Sequence, residues 1–235
     1  MTFQEIYVNS FNRFAHAAST VVAEAPNAAY NPLVLYGGTG TGKTMLLRAI
    51  EDTVKAEHPD CAVRRVTAAA LLEELVEVLQ NGHVEALTER YMENDYVLID
   101  SLEILCGKDA TTAYVLTLAK QLASSGKQVV LSLNSGADDA FRKQLLRGLR
   151  FDNELPLIAD IQPPSEEERL EFTQQYVKRY KLPLTEAICT LIAAHTATLP
   201  QIIGAVTTLS AHRELLCEAP PLAAVIKALT DRNVK

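Results

Sequence analysis

The octapeptide GGTGTGKT, residues 37–44, decides how the rest of the chain is read. It fits G-x-x-x-x-G-K-[ST] in full. The apolar run NPLVLYG (31–37) leads into it, and TMLLRAIEDTVKA (44–56) follows with Leu46, Leu47, Ile50 and Val54 near one helical face. Glycines let such a loop curl so that its amides face phosphate oxygens, and the helix N-terminus adds positive potential. On this reading Gly38, Thr39, Gly40, Thr41, Gly42, Lys43, Thr44 and Met45 line the phosphates of ATP or ADP. Lys43 reaches the β- and γ-phosphates and the Thr44 hydroxyl holds Mg²⁺. A glycine-rich turn that fits by accident is the bland alternative, and the flanking strand and helix weigh against it.

A second stretch, YVLIDSLEIL (96–105), starts like an ATPase and then breaks its own rule. The apolar strand ends in Asp100, where a Mg²⁺-organising carboxylate belongs; a surface Asp at a strand end is the alternative. The next position, where a water-orienting acid is expected, carries Ser101. Glu103 follows closely, but side chains alternate along a strand, so a further shift is expected to turn it away from the phosphates. Asn134 ends KQVVLSLN (127–134). It falls beside the γ-phosphate if its strand neighbours that of Asp100; otherwise it is a turn residue before Ser135 and Gly136.

Around these motifs, strand and helix signals alternate. Strands are expected at 31–37, 61–68, 96–100, 127–134 and 156–162, and helices at 44–56, 69–82, 84–92 and 111–124. That alternation predicts a parallel, doubly wound α/β sheet. After Pro163-Pro164-Ser165 the pattern becomes helical only, opening on Glu166, Glu167 and Glu168, acids at the positive end of a helix. Helices are expected at 165–180, 185–196, 199–217 and 222–231. The organisation is therefore a nucleotide-binding core over 1–163 and a small helical domain over 164–235.

Composition narrows the rest. The 235 residues are 48% hydrophobic and 22% charged, enough for a substantial core. A net charge of -7 argues against attraction of the whole surface to nucleic acid, though not against a local basic stripe. Four dispersed cysteines without a CxxC pair read as reduced thiols. The N-terminus has no signal-peptide pattern, and no apolar run reaches the roughly 18–20 residues a bilayer span needs. A cytoplasmic location is expected, with no membrane partner.

Together these stretches resemble the AAA+ ATPase domain of the bacterial replication initiator family, DnaA, over nearly the whole chain. TFQEIYVNSFNRFAHAA (2–18) is similar to the segment that frames the adenine, which puts Tyr7, Val8 and Asn12 at the nucleotide. LLEELVEVLQNGHVEALTERY (71–91) resembles the helix pair that initiators insert before the acidic strand, and LPLIADIQPPSEEER (155–169) the join to a helical lid. The resemblance implies a P-loop core with a C-terminal lid, ATP or ADP with Mg²⁺, and assembly with DnaA-like subunits, of its own kind or another. It implies an arginine that reaches a neighbouring subunit's ATP, for which RKQLLRGLRF (142–151) offers Arg150, or Arg147 in second place; the alternative is arginines on a solvated helix end. It also implies single-stranded DNA contacts at Val76, Lys108 and Thr111. Val76 equally suits a core position.

The departures carry as much weight. Where the family has a second Asp, this chain has Ser101, which implies hydrolysis slowed by around 10²-fold or more. Pro200 stands where the lid carries a nucleotide-touching arginine, and Ala110 replaces an arginine beside the DNA contacts. The chain stops at Lys235, where the family's helix-turn-helix domain would begin, so it reads either as an excised fragment or as a stand-alone regulator of the Hda type. Two functions are therefore expected: ATP-dependent assembly at replication initiation, with weak or lost hydrolysis, or a slow ATPase that binds single-stranded DNA in the manner of a helicase loader.

Overall fold

The structure, a computed structural model, describes residues 2–25, 30–82, 84–150, 156–182 and 184–216. Five strands form one parallel sheet: β1 (Leu33–Gly37), β2 (Val63–Thr67), β3 (Tyr96–Asp100), β4 (Gln128–Asn134) and β5 (Leu157–Ile161), in the order β2-β3-β4-β1-β5. Every residue of β3 is buried, as is β4 up to Leu133. Unbroken apolar runs of this kind suit a parallel sheet with both faces covered.

Register sets the geometry of the upper edge. Gly37 lies opposite Asn134 on one side and Ile161 on the other, and Thr67 lies opposite Asp100. Gly37 has no alternative: a Cβ there would sit 2.5 Å from the Ile161 carbonyl oxygen and 2.9 Å from Thr41 Oγ1. The strands therefore end together at the edge where open α/β sheets bind ligands.

The covering helices are α1 (Arg13–Glu24), α2 (Lys43–Glu57), α3 (Ala68–Asn81), α4 (Val84–Met92), α5 (Asp109–Ser124) and α6 (Asp139–Gly148). No element is expected over α1 from the sequence. Its buried face is built from the small residues Ala15, Ala18, Ser19 and Ala23 around Val22; it packs on α2 and β5. The Thr67 hydroxyl accepts the Ala70 N–H at 3.1 Å to start α3, and Gly82, at φ 73°, ends it. The α3–α4 pair is tied to β2 through Glu74, which accepts from Arg64 at 2.6 Å, from the Tyr91 hydroxyl at 3.1 Å and from Arg90 at 3.3 Å. Burial pushes the Tyr91 hydroxyl up to about 12.

The chain divides into two units, Met1–Ile161 and Gln162–Lys235. The second holds α7 (Glu166–Arg179), α8 (Glu186–His195) and α9 (Leu199–Leu216). A capping box opens α7: Ser165 Oγ accepts the Glu168 N–H at 3.2 Å, and Glu168 Oε2 accepts the Ser165 N–H at 2.8 Å. Arg169 then donates to the Ala193 carbonyl at 2.9 Å and fastens α7 to the end of α8. Pro200 sits exposed in the first turn of α9, where a missing N–H costs nothing. The helix expected over 222–231 lies outside the described residues. Among the described residues, no helix is long and apolar enough to cross a membrane.

At the opposite edge of the sheet, Asp95 stitches three strand starts. Its carboxylate accepts the Ala62 N–H at 2.9 Å and Lys127 Nζ at 2.9 Å, while its carbonyl accepts the Gln128 N–H at 2.8 Å. The Ala62 N–H, then Lys127, hold its carboxyl below the usual carboxylate range. A depressed pKa contributes stability above the unfolded-state value and loses it as pH falls through the folded one. Asp95→Asn should lower stability near neutral pH by about 1 kcal/mol, a figure reduced for partial exposure. Urea melts at pH 7 and pH 3 should show the difference shrinking at the lower pH.

Candidate functional site

The loop over residues 38–42 leaves β1 and enters α2 with Gly40 at φ 76° and Gly42 at φ 105°, backbone that glycine adopts without strain. Thr41 folds inward, its hydroxyl donating to the Gly38 carbonyl at 2.8 Å. Lys43, 8% exposed, donates to the carbonyls of Gly37 and Gly38, both at 2.7 Å. Burial pulls its ammonium below the usual lysine value, while the charges of Glu103 and then Asp100 work in the other direction. A buried cation inside a curl of amides, at the start of a 15-residue helix, is an electropositive cradle for an anion.

Three polar side chains converge on the end of β3. Asp100, 4% exposed, accepts the Thr44 hydroxyl on Oδ2 at 2.8 Å and the Ser132 hydroxyl on Oδ1. Ser132 Oγ in turn accepts the Ser101 N–H at 2.8 Å. Thr44 and Asp100 thus meet across 56 residues of sequence, two oxygen donors side by side. Mg²⁺ takes few protein ligands and completes its shell with phosphate and water, so this pair suits it. Ser132 was not among the residues expected here. The sequence signal was a lone hydroxyl inside the apolar run QVVLSLN, and the strand register puts it beside Asp100.

β4 lies between β3 and β1, so the condition set for Asn134 is met. Its Nδ2 donates to Thr39 Oγ1 at 2.7 Å, in the phosphate loop. Its Oδ1 accepts the Gly136 N–H at 2.9 Å, so the same side chain also makes the turn.

The expectation for Glu103 is overturned. Ser101 takes a left-handed conformation, φ 65° and ψ 52°, and a 3-10 turn, Leu102–Leu105, begins at once. Strand alternation stops at Asp100. With Leu102 and Leu105 both buried, Glu103 is directed back to the sheet edge, where Oε2 accepts the Asn134 N–H at 3.1 Å.

Other expected residues are scattered. The Asn12 side chain accepts the Asn9 N–H at 2.9 Å and donates to the Tyr7 carbonyl at 2.8 Å, which shapes the segment before α1; Val8 is 38% exposed. Met45 is half-buried in the first turn of α2. Val76 is 45% exposed beside Leu79 at 59%, so the core reading of Val76 fails. Lys108 donates to the Ile104 carbonyl at 2.7 Å. Thr111 is 7% exposed, which removes it as a surface contact in this conformation. Arg147, in the last turn of α6, and Arg150, just beyond it, are both exposed; Phe151 lies outside the described residues.

A profile of the bacterial DnaA ATPase domain matches residues 1–150. The chain belongs to that family. Among solved structures, domain III of the Thermotoga maritima replication initiation protein DnaA is 29% identical, with a TM-score of 0.82 over 98% of this chain and 95% of that one. DnaA from Aquifex aeolicus bound to AMPPCP is 22% identical, with a TM-score of 0.76 over 90% of this chain and 65% of that one. A replication initiator DnaA bound to AMPPCP and single-stranded DNA is also 22% identical, with a TM-score of 0.74 over 88% and 64%. At that identity the last two speak for the fold alone, and this DnaA-family chain spans about two thirds of their length.

The Ser132 contacts make a direct prediction. Ser132→Val leaves Asp100 Oδ1 and the Ser101 N–H buried without a partner and should cost about 2 kcal/mol in urea unfolding. Ser132→Thr keeps the hydroxyl and should lose little.

Proposed function

We propose that this chain is an ATP-binding member of the DnaA family that acts in the cytoplasm in the initiation of chromosomal replication or its regulation. It works by nucleotide-dependent assembly with DnaA-like subunits, its own or another protein's, and turns ATP over slowly. The observation that carries this reading is the union of an intact phosphate loop with Asp100. Lys43 sits inside the loop, the Thr44 hydroxyl touches Asp100, and Asn134 reaches Thr39. Residues 1–163 act as the nucleotide-binding core and 164–235 as the lid. The AMPPCP bound to DnaA relatives supports the choice of ligand.

In this reading Lys43 leaves its two carbonyls to meet the β- and γ-phosphates, and the amides of residues 38–44 surround them. Thr44 and Asp100 would hold Mg²⁺, which would neutralise part of the phosphate charge. Ser132 keeps the Asp100 carboxylate aimed. Ser101 brings no carboxylate to a water, so bound ATP persists and the γ-phosphate serves as a contact between subunits. Arg150 supplies the cation from the neighbour. Tyr7, Val8 and Asn12 frame the base. The second reading, a helicase-loader-type module on single-stranded DNA, draws on solvent-exposed Val76 and on the DNA bound to one relative. Buried Thr111 and the acidic chain favour weak contact.

Lys43→Ala should weaken fluorescent ATP-analogue binding by about two orders of magnitude or more while circular dichroism keeps the folded signature. Unchanged affinity would refute the loop assignment. Arg150→Ala should weaken ATP-dependent association at least about tenfold in sedimentation velocity, with nucleotide affinity of the monomer preserved. If association is unaltered, the cation is Arg147 or comes from elsewhere.

A further inference from the structure

Ser101 removes the acid expected beside the Mg²⁺-holding carboxylate, yet the same residue reorganises the chain so that another carboxylate arrives. Its left-handed conformation turns the backbone out of β3 directly into the 3-10 turn Leu102–Leu105. In that geometry residues three apart share a face, and Leu102 and Leu105 are both fully buried. The intervening Glu103 is only partly buried and is directed to the tip of β4. Its Oε2 is engaged by the Asn134 N–H at 3.1 Å, while the Asn134 side chain holds Thr39 of the phosphate loop at 2.7 Å. One residue therefore connects Glu103 to the loop, and the Glu103 carboxylate lies close enough to Lys43 for its charge to act on the ammonium.

We infer that Glu103 is the water-activating carboxylate of this chain, displaced by two residues from its usual place, and that the residual ATP hydrolysis runs through it. The inference rests on the nucleotide reading given above. In the step, the oxygen of a water bonds to the γ-phosphorus as the bond from that phosphorus to the β,γ-bridging oxygen breaks. The water gives a proton to Glu103 Oε1, which passes it to the released phosphate; ADP leaves with the bridging oxygen. Oε2 stays on the Asn134 N–H and fixes the carboxylate plane. Because the acid stands on a turn rather than at the strand end, turnover is slow but not lost.

The hydrogen bond to Asn134 also suggests a purely structural latch, and the test separates the two roles. Glu103→Gln keeps an oxygen for the Asn134 N–H but cannot take a proton; Glu103→Ala loses both. Steady-state phosphate release by the whole 235-residue chain with Mg²⁺ and ATP is measured alongside fluorescent-analogue affinity and melting temperature, with Lys43→Ala as the background. Glu103→Gln should lower kcat by about 10²-fold with affinity and melting temperature within error of the parent. Parent-like turnover of Glu103→Gln, with loss only in Glu103→Ala, would make the residue a latch and overturn the proposal. Tight nucleotide binding by the parent without phosphate release above background would overturn it too, while leaving the binding reading intact. Failure of the parent to bind nucleotide would remove both.

Discussion

The Asp100 carboxylate is the point on which this architecture turns. It is almost sealed from solvent, and an ionised carboxylate in such a place is tolerable only when its oxygens are occupied. Thr44 supplies one hydrogen bond from the first turn of α2 and Ser132 the other from β4. Three separate elements are thereby locked around one charge: the helix that follows the phosphate loop, the strand that ends in the acid, and the strand beside it. Both ends of the loop are anchored by the sheet, Gly37 against β5 and Thr44 against β3.

That arrangement makes electrostatic sense as a site awaiting an anion and a cation together. The positive side is Lys43 with the loop amides, and the negative side is Asp100 with Glu103. Each side lowers the cost of burying the other, as the opposing influences on the Lys43 ammonium reflect. On the proposed function, a triphosphate with magnesium would bring both signs at once and replace the internal contacts of Lys43 and Thr44 without leaving a charge stranded. Slow chemistry would, on the same reading, suit a nucleotide held between subunits, because a persistent γ-phosphate would keep the contact in place.

Much of this was legible in the residues. The glycine spacing of 37–44, the continuous apolar runs of β3 and β4, the Ser165–Glu168 cap and the Asn81-Gly82 stop are local signals, and each element they announce is found within a residue or two of its expected bounds. The helix α1 escaped notice because small residues carry its buried face while the larger apolar Phe14 and Val21 stand exposed. Ser132 escaped because one hydroxyl in an apolar strand has no meaning until the neighbouring strand is known. Val76 and Thr111 were placed from resemblance, and their exposure depends on how α3 and α5 rotate against the sheet, which helical periodicity alone leaves ambiguous by a residue.

Glu103 marks the boundary most clearly. By itself the sequence determined the fold class and the position of the glycine-rich loop between β1 and α2, because backbone conformation at glycines and the alternation of apolar runs are short-range properties of the chain. It also determined that the carboxylate ordinarily found after Asp100 is missing. Only the tertiary structure decided which side chains meet at the sheet edge. Strand order and register bring residues 39, 44, 100, 103, 132 and 134 together, and a single left-handed residue at 101 redirects the acid that follows. Direction in space is a cumulative property of the backbone, and one dihedral angle outside the strand region is enough to reverse it.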